Sequence, residues 1–201
     1  MTATNTDPLP SRILAGVSIP DTPLIAEGLE LRDLEVHAVA ALLHDIGWDP
    51  TGELVSEDKR LEVDGANAAR DFLHREVPHW DKHRVQLVWD AIALHTIGSV
   101  VFYKEAEVQA SSYGIWADFQ GPDRVQGGLL TWEEYNKVVE EFPRLELMAN
   151  LKKVMCHLCV TKPQTTYDNT VGEWGDKYVD TYDRKGKLTQ DLLDTCDLDS
   201  R

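Results

Sequence analysis

The stretch Glu35–Asp49, Glu-Val-His-Ala-Val-Ala-Ala-Leu-Leu-His-Asp-Ile-Gly-Trp-Asp, constrains the chain most. Val36, Val39, Ala40 and Leu43 recur at helical spacing, so the segment reads as an amphipathic helix packed in a core. The adjacent pair His44-Asp45 falls at its C-terminal end, with Gly47 as the stop signal. An imidazole nitrogen and a carboxylate oxygen on neighbouring residues can both turn toward one cation there, and both are ligands for zinc and other transition metals. The alternative for any His-Asp dipeptide is a helix-end charge pair, with a protonated imidazole at the negative end of the helix dipole.

At 201 residues the chain is long enough for one domain with a real core. Its 20 Lys+Arg against 35 Asp+Glu give a net charge of -15, which argues against a nucleic-acid partner, because phosphate backbones are bound by clustered cations. A small-molecule substrate stays open, since a local cation can invert the field inside a cleft. Three cysteines and no hydrophobic leader argue against a secreted disulfide scaffold. No apolar run approaches the roughly 20 residues that span a bilayer. The expectation is a soluble cytoplasmic protein, with the nucleus as the alternative and no membrane partner. Homo-oligomerisation stays open.

Residues 1–23 read as a loose N-terminal arm, 24–185 as a single helical domain and 186–201 as an acidic tail. Helices are expected over Leu61–His74, Val85–Ile97, Glu105–Asp118, Leu145–Val160 and Trp174–Tyr182. In the first, Gly-Ala-Asn-Ala-Ala permits close approach of another helix, and Phe72 and Leu73 supply apolar contacts. In the second, Val85, Val88, Trp89 and Ile92 form the buried stripe. Thr131-Trp-Glu-Glu134 reads as a capping box. No segment sustains strand alternation, so the fold class is all-α. The polar run Pro50–Arg60 reads as a loop beside the central helix, of the kind that covers pockets.

His37 lies seven residues before His44, about 10 Å along a helix axis, too far for one ion with bonds of about 2 Å. It reads as a packed or surface histidine. Asp118 follows small and apolar residues inside a helix, where a carboxylate is costly unless paired or coordinating. Asp49 is a candidate general base or a solvated turn residue. His95, near the end of an apolar helix, is a candidate proton carrier or a satisfied core histidine. His74, His79 and His83 fall among charged residues and are expected to be exposed. Cys156 and Cys159 lack a second cysteine pair, so free thiols are expected there.

Leu-Leu-His-Asp-Ile-Gly-Trp-Asp resembles the signature of the HD superfamily of metal-dependent hydrolases. Glu-Val-Asp-Gly-Ala-Asn, Ala-Ile-x-Leu-His-Thr, Gly-Ile-x-Ala-Asp-Phe-x-Gly-Pro and the run from Lys162 to Gly172 are similar to its fungal, cyanamide-hydratase-like branch. The resemblance covers most of Leu34–Tyr182. It implies an HD-type helical bundle in which His44, Asp45 and Asp118 hold a divalent ion, zinc first and iron or manganese after it. It further implies that activated water attacks a small electrophile, with Asp49 or His95 handling the proton. In this branch that electrophile is a nitrile such as cyanamide; elsewhere in the superfamily it is a phosphate ester. The lack of an Arg/Lys cluster near the pair leans toward a small neutral substrate. HD proteins carry a further metal-binding His on an earlier helix, yet no histidine precedes His37 here. The resemblance therefore points to a missing segment between Leu31 and Asp33, and makes a catalytically impaired HD fold the alternative. Glu62 and Asp64 stand where many HD proteins have a second-metal His, which implies a single-ion site and leaves their own role open.

Overall fold

The computed structural model describes residues 12–14, 17–19, 33–48, 53–101, 103–124 and 130–196. Asp49, the junction 31–32 and most of the 1–23 arm lie outside the described residues.

Helix α1 (Leu34–Leu43) starts at Asp33, whose side chain accepts from the backbone N–H groups of Glu35 and Val36 at 3.1 and 3.2 Å. That satisfies donors left open by the first helical turn. Arg84 closes over the same carboxylate through Nε at 2.6 Å and Nη2 at 2.9 Å, while its guanidinium stacks 3.8 Å from the Trp80 ring centre. The Asp33 N–H donates to Glu107 Oε1 at 2.7 Å. One aspartate thus pins the start of α1 to both α3 (Lys82–Leu94) and α5 (Ala106–Gln120).

The main core lies between α1, α2 (Leu61–Glu76), α3, the short α4 (Gly98–Val101) and α5. Val36, Ala40, Ala66, Ala69, Leu73, Val88, Ile92 and Val108 are buried in it, with Val39, Leu43 and Trp89 packed against its side. The stripes expected of α1 and α3 are therefore the faces turned inward. On α2 the expectation needs correction: Leu73 is buried but Phe72 is 42% exposed, with Arg75 over its ring. Neighbouring helical residues point about 100° apart, so only one of the two can align with Ala66 and Ala69.

Helix α1 also ends earlier than expected, at Leu43, and Ile46–Trp48 forms a separate 3-10 turn. Gly47 is not the stop signal. A Cβ there would meet Leu61 O at 2.1 Å and Gly65 N at 2.8 Å, so the glycine exists to let this turn touch α2. Gly65, in the Gly-Ala-Asn-Ala-Ala run, supplies the other half of that contact.

A second core joins Trp48 and Leu61 to Leu151, Met155 and Leu158 of α7 (Leu147–Thr161) and Val171 of α8 (Thr170–Tyr178). Between them α6 (Trp132–Glu141) opens with the capping box of Thr131 and Glu134. An exposed α9 (Thr189–Asp194) lies in the acidic tail. The fold is all-α, with one addition within the N-terminal arm: Arg12–Leu14 pairs antiparallel with Val17–Ile19 in a small hairpin. Cys156 and Cys159 are free thiols, and Cys159 donates to Val171 O at 3.2 Å. Among the described residues no helix is long and apolar enough to cross a membrane.

Candidate functional site

Two helices end in the same way at one place. His44 caps the C-terminus of α1 and His95 that of α3. Each ring folds back so that Nδ1 meets a carbonyl three residues earlier, Ala41 O at 2.8 Å and Ile92 O at 2.7 Å. A carbonyl only accepts, so Nδ1 carries the proton in both rings, which leaves Nε2 as the outward-facing atom. The rings meet edge to face, 5.3 Å between centres. Asp45 lies between them, Oδ2 at 3.0 Å from His44 Nε2 and Oδ1 at 3.7 Å from His95 Nε2.

The charges divide unequally. Burial alone would lower the pKa of His44, but the hydrogen bond and charge of Asp45 outweigh it and raise it above the ordinary imidazole value. His95, 4% exposed, is pushed down by burial and then by the charge of His44, with Asp45 only partly offsetting both. A neutral His95 presents an Nε2 lone pair toward Asp45 Oδ1, an oxygen that is buried and has no hydrogen-bond donor among the described residues. The two atoms are too far apart to bond and both offer electron pairs. Two ligands about 2.1 Å from one tetrahedral ion lie about 3.4 Å apart, so this gap and this N/O donor set suit a divalent cation.

Asp118, in the last turn of α5, does not complete the corner. Its carboxylate takes Arg144 Nη2 at 2.6 Å and Nη1 at 3.3 Å, and its backbone carbonyl accepts from Arg144 Nη2 at 2.7 Å and from Tyr135 Oη at 3.1 Å. Burial raises the Asp118 pKa above the usual carboxylate range despite Arg144 and the charge of His44. Asp118 and His44 thus feel one another electrostatically, but the aspartate is held by a guanidinium. Among the described residues no three His, Cys, Asp or Glu side chains form a ready-made group for a metal ion. Of the expected ligands, His44 and Asp45 come together, His95 joins them, and Asp118 stands apart with Arg144.

Residues 23–114 match the HD domain family. The match covers somewhat less than half of the chain. The match runs from before α1 into α5, takes in His44, Asp45, Glu62 and His95, and stops short of Asp118. No curated protein and no solved structure matches the chain. The match supports the resemblance to the HD superfamily, and the all-α architecture agrees with it.

Other residues of the matched segment take separate places. His37 is buried, with Nδ1 at 3.2 Å from Ser111 Oγ, as expected of a packed histidine. His74, His79 and His83 are exposed. Glu62 is fully buried at the start of α2; its Oε1 accepts from Thr96 Oγ1 at 2.6 Å, next to His95, while Oε2 is buried without a donor among the described residues. Asp64 has another task. It accepts from Ser56 N at 3.0 Å, Ser56 Oγ at 2.7 Å and Lys162 Nζ at 3.0 Å. Lys162 also donates to Ser56 O at 3.2 Å and Lys59 O at 2.9 Å, and Gln164 Nε2 donates to Glu57 O at 2.8 Å. Residues beyond the HD match therefore fasten the 53–60 loop to α2. Sequence reasoning missed both Lys162 and Arg144, because a single basic residue with a distant partner leaves no local pattern.

Proposed function

We propose that the His44–Asp45–His95 corner of the HD domain holds one divalent cation, zinc first and iron or manganese after it. On this reading the protein is a hydrolase or hydratase of a small electrophile. The observation that carries it is the neutral His95 Nε2 facing the donorless Asp45 Oδ1 across 3.7 Å. When bound, the cation supplies Lewis-acid activation of water.

The chain's own residues prepare that chemistry. The carbonyls of Ala41 and Ile92 fix both imidazoles with Nε2 outward, an outer-layer hydrogen bond common to metal-binding histidines. Asp45 supplies the negative charge, and the burial of His95 keeps water off its ring. The electrophile we favour is a nitrile such as cyanamide rather than a phosphate ester. Arg144 is engaged by Asp118, and Arg60 is shared between Glu62 at 3.5 Å and Asp168 at 3.9 Å, so neither guanidinium is open to a phosphate.

Elemental analysis of the purified protein tests the reading: about one equivalent of zinc, iron or manganese per chain is expected, and none in His44→Ala. Cyanamide turnover by the protein but not by that variant is the second expected result. Equal metal content in the two proteins would remove the corner from the argument. A second reading, an HD fold that binds without turnover, is favoured by the pairing of Asp118 with Arg144. Retained metal with no turnover of cyanamide or a phosphate ester would select it.

A further inference from the structure

The end of α3 is gripped from three sides. His95 Nδ1 meets Ile92 O at 2.7 Å, and Ser112 Oγ of α5 donates to His95 O at 3.2 Å. Thr96 Oγ1, one residue on, donates to Glu62 Oε1 of α2 at 2.6 Å. The first bond fixes the ring, and the other two hold the backbone that carries it. Of these partners Glu62 is the costly one. It is 0% exposed, and a carboxylate taken wholly out of water needs several donors to offset its lost hydration. Oε1 has Thr96 Oγ1 and, at 3.5 Å, Arg60 Nη2, while Oε2 has no donor among the described residues. Asp64, one position further than the next residue and buried as well, has donors on both oxygens. A place in the first turn of α2 favours a carboxylate through the helix dipole, but an exposed carboxylate would gain that equally. An apolar side chain of similar size would fill the space at lower cost. What it could not do is hold the Thr96 hydroxyl, and with it the residue before.

We infer that Glu62 is a positioning residue for His95, acting through Thr96. Its carboxylate fixes the turn that follows α3 so that His95 Nε2 faces Asp45 Oδ1 across 3.7 Å. The inference builds on the part given to His95 in the metal reading above. Groups that meet at one site have to be held within about 0.5 Å of the working geometry. A helix end held only by its own last turn frays, and His95 stands at such an end. The bond from α2 removes that freedom, and alignment is gained at a cost in stability. A purely structural carboxylate would show the opposite balance: its loss would weaken the fold and leave the imidazole as it is.

The test compares the unaltered full chain with Thr96→Val, which keeps the shape but not the hydroxyl, with Glu62→Leu, and with Glu62→Gln, whose amide oxygen can still accept from Thr96. Imidazole-nitrogen NMR of the metal-free protein reads the His95 tautomer, its signal identified by its loss in His95→Gln. A manganese titration, following the bound ion by electron spin resonance, reads the affinity. In Thr96→Val and Glu62→Leu, His95 should pass from the single Nδ1-protonated form to a mixture of tautomers. Both variants should bind manganese about tenfold more weakly, the usual effect of removing a group that orients a ligand. The urea midpoint of Glu62→Leu should be unchanged or higher. Glu62→Gln should keep the single tautomer and the unaltered affinity. An unchanged His95 tautomer in Thr96→Val overturns the inference, and so does a Glu62→Gln that disturbs His95 as much as Glu62→Leu. If Glu62→Leu does not fold, Thr96→Val and Glu62→Gln decide on the same signals. If the unaltered protein binds no manganese while the tautomers shift as expected, the metal reading falls and Glu62 remains the residue that sets His95.

Discussion

Asp45 and Asp64 are acidic residues flanking the same turn and helix, and they are treated in opposite ways. Asp64, 4% exposed, has donors on both oxygens: Ser56 Oγ on Oδ1, and Ser56 N and Lys162 Nζ on Oδ2. Lys162 in turn has three acceptors within 3.2 Å. Asp45 stands between two imidazoles with one oxygen to which nothing among the described residues donates. A buried polar network that is closed on itself acts as a fixed joint, whereas an open one marks where a further group would complete it. The difference separates a buried carboxylate that holds the fold from a half-buried one with an oxygen to spare.

That contrast can be broken at several strengths. The strongest blow falls on the closed network. Lys162→Met or Asp64→Asn leaves a buried charge without its counter-ion and should lower stability by about 3–5 kcal/mol in urea unfolding. A loss below about 1 kcal/mol would show that Asp64 is no joint. Next comes Gly47→Ala, whose added carbon would meet backbone atoms at 2.1 and 2.8 Å. Backbone cannot yield as a side-chain tip does, and the expected cost is about 1–3 kcal/mol, read from the thermal midpoint. Asp45→Asn should change stability by less than about 1 kcal/mol, since no complete set of bonds is lost. Its cation affinity should nevertheless drop by about a hundredfold in the manganese titration. A stability loss matching that of Asp64→Asn would erase the distinction.

The smallest effect is in the pH profile. His44 has a raised folded-state pKa, so its contribution is fully present below about 6.5 and fades as pH rises through the folded value. His95 has a lowered one, so its contribution is present above about 6.5 and fades as pH falls toward the folded value. The two oppose each other and give a shallow maximum near pH 6.5. His44→Gln should flatten the alkaline side of that maximum and His95→Gln the acid side. Urea midpoints taken from pH 5 to 8 would reveal a swap of the two limbs.

Much of this was legible in the sequence, and for a physical reason. Core faces follow local spacing, so Val36, Ala40, Val88 and Ile92 announced themselves, as did the capping box at Thr131. His44, Asp45 and His95 were visible because a helix end places its last residues near the next element. Phe72 was misjudged because its neighbour Leu73 already filled the inward direction. Gly47 suggested a stop when its true work is contact with Gly65. Hardest to read were the partners of acids: Arg144 lies 26 residues from Asp118, and Lys162 lies 98 from Asp64. Charges that meet across the folded chain follow no period. The expected third ligand, Asp118, was recognised as an aspartate in need of a partner, but the partner the fold supplies is a guanidinium.

The reach of Lys162 back into the 53–60 loop also bears on where this molecule can be cut. A fragment trimmed to residues 23–114 would strip Asp64 of its ammonium and bare Leu61, whose packing comes from Met155 and Leu158. The C-terminal helices are thus mortar for the HD segment, and anyone transplanting that segment into another protein would have to carry them along.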